Sequence, residues 1–312
     1  MTNETATSGT AAQALPNDPR WPRAQTLLKP IADALAETDG PLDAVILGIP
    51  AHLTSISPTN AHTTPAAIRE ALLRYSTWSW QHRLDLAALN VGDAGDIIDP
   101  DGEAGEARTI EAVAGLREQA GLVIGLGGDN SVTYAMGVGS LDLATSGLIT
   151  FDAHHDIRDG INNGSPVKRL IAAGLDPRRI VQIGIADYSN SPEYAMEALD
   201  LGITVIPRSE LRNREASDVI RQALAIAGSG GGSIHVDIDV DVCDRSVVPA
   251  CPAAAPGGIS ADQLREFAYL VANDKRVVSI DLTEIDASID APDGRTVRLA
   301  ALLILEILAG RF

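Results

Sequence analysis

The sequence predicts an α/β fold built on a central, mostly parallel sheet with helices on both faces. Short apolar runs, of the kind that form strands buried on both sides, recur along the chain,. Stretches of helical period separate them, and such alternation favours parallel strands covered on both faces. Acidic stretches stand where several of the runs end. In open sheets of this kind ligands bind beyond the carboxyl ends of the strands.

The elements follow in order. Residues 1–20 are polar, with small residues and proline, and read as a flexible leader,. Residues 21–312 read as a single domain, since α/β chains of this length often share one extended core,. An amphipathic segment occupies 21–35. The run Ala44-Val45-Ile46-Leu47-Gly48-Ile49-Pro50, closed by Gly and Pro, suits a buried strand,. Thr64 is the expected cap of a helix that starts at Pro65 and runs to 73,. Further strands are expected at 122–125, 147–151, 180–185, 204–207, 233–239 and 277–282, with helices at 109–120, 166–173, 193–201, 216–227 and 261–273. Ser229-Gly230-Gly231-Gly232 reads as a turn into the next strand rather than a domain linker,.

Composition narrows the function. Hydrophobic residues make up 45% and aromatics only 4%, so the core rests on Ala, Val, Leu and Ile,. A formal charge of −18 argues against a nucleic-acid partner, whose phosphates demand clustered Lys and Arg,. The two cysteines, Cys243 and Cys251, share one loop without Cys-x-x-Cys spacing; free thiols in a reducing cytoplasm are favoured over a disulfide,. No apolar run reaches the roughly 18 residues of a membrane span, and the first residues lack a signal-like core,. A cytoplasmic protein without membrane contact is the expectation.

Three acidic stretches carry the chemistry: Phe151-Asp152-Ala153-His154-His155-Asp156, Asp237-Ile238-Asp239-Val240-Asp241 and Asp281-Leu282-Thr283-Glu284. Carboxylates crowded at strand ends repel one another and lose hydration, so they must take up protons or share a cation. Alternate positions on extended chain project to one side, which lets Asp152, His154 and Asp156 converge. A solvated loop is the bland reading of that stretch, and an edge strand with its polar face in water is the bland reading of the second. Burying Asp237, Asp239 and Asp241 on one face without a cation would be costly. His235 lies farther back on that face and reads as an internal histidine. Gly125-Leu126-Gly127-Gly128-Asp129-Asn130-Ser131 lacks the spacing and the lysine of a nucleotide loop; its glycines better serve close passage of backbone past a buried site,.

Taken together these stretches resemble the ureohydrolases. The order Gly127-Gly128-Asp129-Asn130-Ser131, Asp152-Ala153-His154-His155-Asp156, Asp239-Val240-Asp241-Val242-Cys243-Asp244 with Pro249 and Gly257-Gly258, then Glu284, is similar to that of the superfamily of arginase, agmatinase, guanidino-acid hydrolases and formimidoylglutamase. The resemblance runs from about residue 44 to 308. It implies an arginase-like three-layer fold, two Mn²⁺ per subunit, hydrolysis of a C–N bond at an amidine or guanidine carbon, and a homotrimer or homohexamer. By the same resemblance Asp152 and Asp239 bridge the ions, His154 and Asp241 complete one coordination sphere, and Asp156 and Asn130 serve the other. Asp237 then falls outside the ligand set. Oxygen-rich ligands with one imidazole suit Mn²⁺, and two adjacent cations acidify water enough to supply a nucleophile near neutral pH. The resemblance makes Glu284 the carboxylate that meets the cationic nitrogens by paired hydrogen bonds, and places Asp156 beside it among the catalytic groups.

Two positions depart from the family's common pattern. Asn130 stands where a histidine is usual, which weakens one ion's site unless the amide oxygen coordinates. Asn163, in Asn162-Asn163-Gly164-Ser165-Pro166, stands where arginases and agmatinases place a proton-shuttling histidine. His155 is a poor substitute, because neighbours on extended chain point to opposite faces. Arg158 stands where arginase contacts the substrate's carboxylate, and a guanidinium there binds an acidic substrate bidentately; its bland alternative is a partner for Asp159. Lys168 and Arg169 read as solvated. The Asn-Gly-Ser-Pro stretch and Ser189-Asn190-Ser191 look most like formimidoylglutamases, which makes Asn163 and Ser165 expected substrate contacts. The substrate expected is N-formimidoyl-L-glutamate, yielding L-glutamate and formamide in histidine breakdown. The alternatives are an agmatinase or guanidino-acid hydrolase releasing urea, and an inactive subunit that keeps the fold for assembly or binding.

Overall fold

The computed structural model describes residues 18–312, so most of the expected leader lies outside the described residues. In chain order the elements are β1 (Lys29–Pro30), α1 (Ile31–Ala36), β2 (Ala44–Ile49), α2 (Thr64–Ala71), β3 (Trp78–Ser79), β4 (Leu84–Asp85), β5 (Val91–Asp96), α3 (Gly102–Gln119), β6 (Val123–Gly127) and α4 (Val132–Ser140). They continue as β7 (Gly147–Phe151), α5 (Pro166–Ala172), β8 (Ile180–Ile185), α6 (Pro192–Leu201), β9 (Thr204–Pro207), α7 (Ala216–Ala227), β10 (Ile234–Asp239), α8 (Ala261–Ala272), β11 (Val277–Thr283) and α9 (Arg295–Arg311).

Nine strands form one sheet in the order β1-β5-β2-β6-β11-β10-β7-β8-β9. Every neighbouring pair in it is parallel. Strands β3 and β4 make a separate antiparallel ribbon. Successive strand residues serve opposite faces, as pleating demands. Ile46, Ile124 and Ile149 pack with α2, α7, α8 and α9, whereas Val45 and Val123 pack with α1, α3 and α4, and Leu148 packs with α5 and α6. The result is the expected helix–sheet–helix sandwich. The four strands β6, β11, β10 and β7 stand side by side at its centre, and their carboxyl ends carry the glycine-rich loop and all three acidic stretches.

Several local expectations differ. The amphipathic segment 21–35 divides into a 3₁₀ turn at Ala24–Leu27, edge strand β1 and the start of α1. Thr64 does not cap α2; it lies inside the helix, and its hydroxyl donates to the Ile285 carbonyl, tying α2 to the strand-end loop. Helix α3 begins at Gly102, ahead of the expected 109. Strand β5, Val-Gly-Asp-Ala-Gly-Asp, has the composition of a loop, but it pairs with β1 and β2, and Arg69 binds both oxygens of its Asp93 at 2.8 Å. Helices α4 and α9 carry apolar or small residues around much of their circumference, so no polar stripe marks them in sequence,. Lys168 pairs with Asp159 at 2.6 Å and Glu197 at 3.1 Å. Arg169 is not solvated: it forks onto Glu106 at 2.5 and 2.7 Å and lies over the Tyr134 ring.

Candidate metal and catalytic site

A cavity of about 300 Å³ opens at the carboxyl ends of the central strands, with His154, His155, Asp156, Asp239, Asp241 and Glu284 in its lining. Gly128 shows why the loop after β6 needs glycine. A Cβ there would stand 1.8 Å from the Ala51 carbonyl oxygen, so the backbone passes where no side chain fits. The chain leaves β7 at Phe151, and with it the strict alternation of a strand; His154 and His155 consequently both line the cavity, against the expectation that His155 faces away.

Ligand atoms of Asp152, His154 and Asp241 lie within 4.8 Å of one another, the group among the described residues that could hold a metal ion. Nδ1 of His154 is 2.7 Å from Oδ2 of Asp241 and 3.5 Å from Oδ1 of Asp152. That Asp241 oxygen is buried with no hydrogen bond aligned to it. Its partner Oδ1 accepts from the Ala153 N–H at 2.9 Å, and Oδ1 of Asp239 accepts from the Asp241 N–H at 2.8 Å, so each carboxylate is oriented by backbone. Asp156 and Asp239 complete the carboxylate lining.

The electrostatics show a site short of positive charge. Burial raises Asp152 to about 6, helped by the charge of Asp241. Burial likewise lifts Asp156 and Asp239 well above the usual carboxylate range, with Asp152 and Asp241 respectively as the next largest cause. Burial opposes a charge on His154, yet the two flanking carboxylates outweigh it and push the imidazole up to about 12. Asp241 is lowered despite its burial, because His154 faces it. Protons thus do in the metal-free protein what a cation does in a loaded one. The donor set, buried carboxylates with one imidazole, fits a divalent cation such as Mn²⁺,.

Asn130 is turned away from coordination. Its Oδ1 accepts from the hydroxyls of Thr133 (2.9 Å) and Thr283 (3.0 Å), and its Nδ2 donates to Oδ2 of Asp156. The expected oxygen ligand is therefore engaged elsewhere, because two threonine hydroxyls hold the amide oxygen. Glu284 follows β11 with φ +63°, and Asp156 has φ +53°. Left-handed backbone costs a residue with a Cβ roughly 1–2 kcal/mol, and such outliers cluster at functional sites. Oε1 of Glu284 accepts from the Asn130 N–H and from Nδ2 of Asn163, both at 2.8 Å, and no donor among the described residues takes up Oε2. Burial, then the charge of Asp129, push Glu284 up to about 8. Paired hydrogen bonds to a substrate would have to share Oε1 with those two donors.

The expected substrate contacts divide. Arg158 lines the cavity, and among the described residues its exposed guanidinium meets no ion-pair or hydrogen-bond partner, since Asp159 is held by Lys168 instead. Ser165 is a correction. It is fully buried and absent from the cavity wall, and its hydroxyl donates to the Asn162 carbonyl at 2.8 Å and accepts from the Asn162 N–H at 3.1 Å, so burial keeps it from a ligand. Asn163 lines the cavity with its amide already bonded to protein groups. Sequence reasoning did not anticipate Asn190, which accepts from the His155 N–H and donates to the Ala153 carbonyl, both at 3.0 Å. It also overlooked Arg208, whose Nη2 donates to the Asp241 carbonyl at 3.0 Å. Asn190 stands in the Ser189-Asn190-Ser191 stretch that the resemblance singled out without giving it a role, and Arg208 has no sequence signal beyond polarity next to a strand end. His235 sits beneath the site with Nδ1 2.7 Å from Ser279 Oγ and Nε2 3.3 Å from Asp281, fully buried as expected of an internal histidine. Cys243 and Cys251 are free and buried.

An arginase-family profile matches residues 42–310. The chain belongs to the arginase family. This arginase-family chain is 35% identical over 276 residues to the formimidoylglutamase of Halalkalibacterium halodurans, covering 85% of itself and 86% of that protein. It is 32% identical over 305 residues to the formimidoylglutamase of Halobacterium salinarum, covering 94% and 95%. An agmatinase of Pyrococcus horikoshii is 28% identical over 252 residues, covering 78% and 83%. Among solved structures, formimidoylglutamase from Bacillus subtilis superposes with a TM-score of 0.85 at 27% identity, covering 96% and 95%. Trypanosoma cruzi formiminoglutamase with Mn²⁺ superposes at 0.83 with 23% identity over 93% and 98%, which speaks for the fold.

Proposed function

We propose that this protein is a manganese-dependent hydrolase of a linear amidine, and that its substrate is N-formimidoyl-L-glutamate. The observation that carries the substrate is Arg158, a guanidinium without a partner among the described residues, on the wall of a cavity otherwise lined by acidic groups. It favours a substrate with carboxylates at one end and an amidinium at the other, and it repels the cationic tail of agmatine. The formimidoylglutamase relatives point the same way.

Asp152, His154 and Asp241 would hold Mn²⁺, with Asp156 and Asp239 as the carboxylates available to a second ion and the Asn130 oxygen not among the ligands. Bound manganese supplies Lewis acidity and water acidic enough to act as nucleophile near neutral pH. Glu284 receives the amidinium through Oε2. Asp156, its Oδ2 held by the Asn130 amide, takes the proton released by the attacking water at Oδ1. The water oxygen bonds to the formimidoyl carbon, the bond from that carbon to the glutamate nitrogen breaks, and the freed amine takes both the proton held on Asp156 and the one left on the former water oxygen, giving L-glutamate and formamide. Residues 21–312 act as one catalytic domain in this reading, within a homotrimer or homohexamer in the cytoplasm. No helix among the described residues is long and apolar enough to cross a membrane.

The test is product release by Mn²⁺-loaded protein from N-formimidoyl-L-glutamate, agmatine and 4-guanidinobutyrate beside a chelated control. Formamide and glutamate from the first alone support the reading; urea from either guanidine overturns the substrate. Arg158→Ala should raise KM for the acidic substrate about tenfold with kcat little changed, the mark of lost uniform binding. An unaltered KM removes Arg158 from the site.

The metal-free protein should also respond to pH in a set direction. Asp152, Glu284 and His154 are raised in the fold, so the folded state keeps protons that the unfolded chain releases,. Their contribution is fully present below the ordinary carboxyl range near 4. It declines as pH rises through about 6 for Asp152 and about 8 for Glu284. Chelated protein should therefore lose Tm from pH 5 to pH 8, and Mn²⁺ should restore more at the upper end. A chelated Tm that climbs over that interval contradicts the charge assignment.

A further inference from the structure

Asn163 touches two parts of the cavity at once. Its Nδ2 donates to Oε1 of Glu284 at 2.8 Å, and its Oδ1 accepts from the Ile56 N–H at 2.9 Å. Its own N–H donates to the Thr54 carbonyl at 3.3 Å, and Nδ2 also lies 3.5 Å from Ser55 Oγ. Ile56 and Ser57 are cavity wall. The loop that carries them is fastened at its ends by other groups. Oδ1 of Asp101 accepts from the N–H groups of His52 (3.0 Å) and Leu53 (2.8 Å), and Oδ2 of Asp286 accepts from the Asn60 N–H at 2.7 Å. Between those anchors the side chain of Asn163 is the hydrogen bond at Ile56, a residue that is itself exposed and has little packing to hold it.

We infer that Asn163 is a positioning residue that locks the 54–57 wall of the cavity to Glu284, so that the wall enclosing the substrate and the carboxylate receiving its amidinium move as one piece. A primary amide is the group this geometry needs. It must donate to a carboxylate on one side and accept from a backbone N–H on the other, which an amide does in any protonation state and a carboxylate or methyl group does not. The donor fixes Oε1 and leaves Oε2 as the free acceptor. In this role Asn163 acts through two neighbours, the Ile56 N–H and Oε1 of Glu284. The turnover arm of this inference rests on the amidine-hydrolase reading above; the loop arm does not.

Two variants of the Mn²⁺-loaded, full-length protein separate the arms. Asn163→Asp keeps an acceptor for the Ile56 N–H but removes the donor and sets a carboxylate against Oε1. Asn163→Ala removes both bonds. Hydrogen exchange is followed at the amides of 54–57, with β11 amides as the internal record of an intact fold, and turnover of N-formimidoyl-L-glutamate is measured on the same samples. Asn163→Asp should keep the Ile56 amide within about threefold of its wild-type exchange rate while kcat falls on the order of 100-fold. Asn163→Ala should release the Ile56 amide by at least about tenfold and lower kcat as well. Wild-type exchange at Ile56 in Asn163→Ala overturns the lock. Wild-type kcat in Asn163→Asp overturns the link to Glu284. If wild-type protein itself turns over no amidine, the function reading has failed, and the exchange result still decides whether Asn163 holds the wall.

Discussion

Asp241→Asn should abolish manganese loading and with it nearly all turnover. The substitution is isosteric: an amide oxygen can still accept the Ala153 N–H, so the fold need not change. What it removes is the charge facing His154, and with it one anionic ligand of the Asp152, His154 and Asp241 group. A metal that supplies several kcal/mol of barrier lowering is worth on the order of 1000-fold in rate, and kcat should fall by about that factor. Manganese per subunit, measured by elemental analysis after gel filtration, should drop in parallel. The rise in Tm that Mn²⁺ gives the wild-type protein should shrink too, since a ligand stabilises only the state that binds it. Full metal content with undiminished turnover would remove Asp241 from the centre.

Glu284→Gln should lower kcat/KM by about 100-fold while leaving manganese content unchanged. The glutamine oxygen can replace Oε1 as acceptor of the Asn130 and Asn163 donors, so the loop positions are retained. The other carboxylate oxygen becomes an NH₂ group that presents hydrogens to an amidinium, turning attraction into repulsion. Losses of this size are typical when one group aimed at developing charge is removed from a water-poor site. Because Asp241→Asn reads on metal and Glu284→Gln on substrate alone, the two variants divide the site into its two functions. Wild-type kcat/KM in Glu284→Gln would mean that the amidinium is met elsewhere.

Much of the fold was legible because a buried parallel strand leaves a plain trace. The runs at 147–151, 180–185 and 204–207 coincide with β7, β8 and β9, and the helix at 216–227 coincides with α7. Where local composition misled, pairing had overridden propensity. Strand β5 holds two glycines and two aspartates, yet its neighbours on both sides complete its hydrogen bonds. Helix α9 has no polar stripe because α8 and α2 cover it.

The site divides along the same line. Asp152, His154, Asp239, Asp241 and Glu284 stood out because carboxylates and an imidazole at the ends of apolar strands have few other uses; the last four line one cavity, and Asp152 lies beside His154 and Asp241. Asn130, Asn163 and Ser165 were legible as positions but not as roles. A neutral polar side chain states no preference until its partners are known: two threonine hydroxyls turn the Asn130 oxygen inward, the Asn162 backbone takes the Ser165 hydroxyl, and Asn163 bridges Ile56 to Glu284.

By itself, then, the sequence determined the layered α/β architecture, the family and the charge that calls for a cation, since hydrophobic period and uncompensated carboxylates are properties of the chain. Tertiary structure alone decided which polar groups still have a free donor or acceptor to offer a ligand. Hydrogen-bonding capacity is used up by neighbours remote in sequence, 121 residues away for Asn163 and Glu284, and only folding brings those neighbours together.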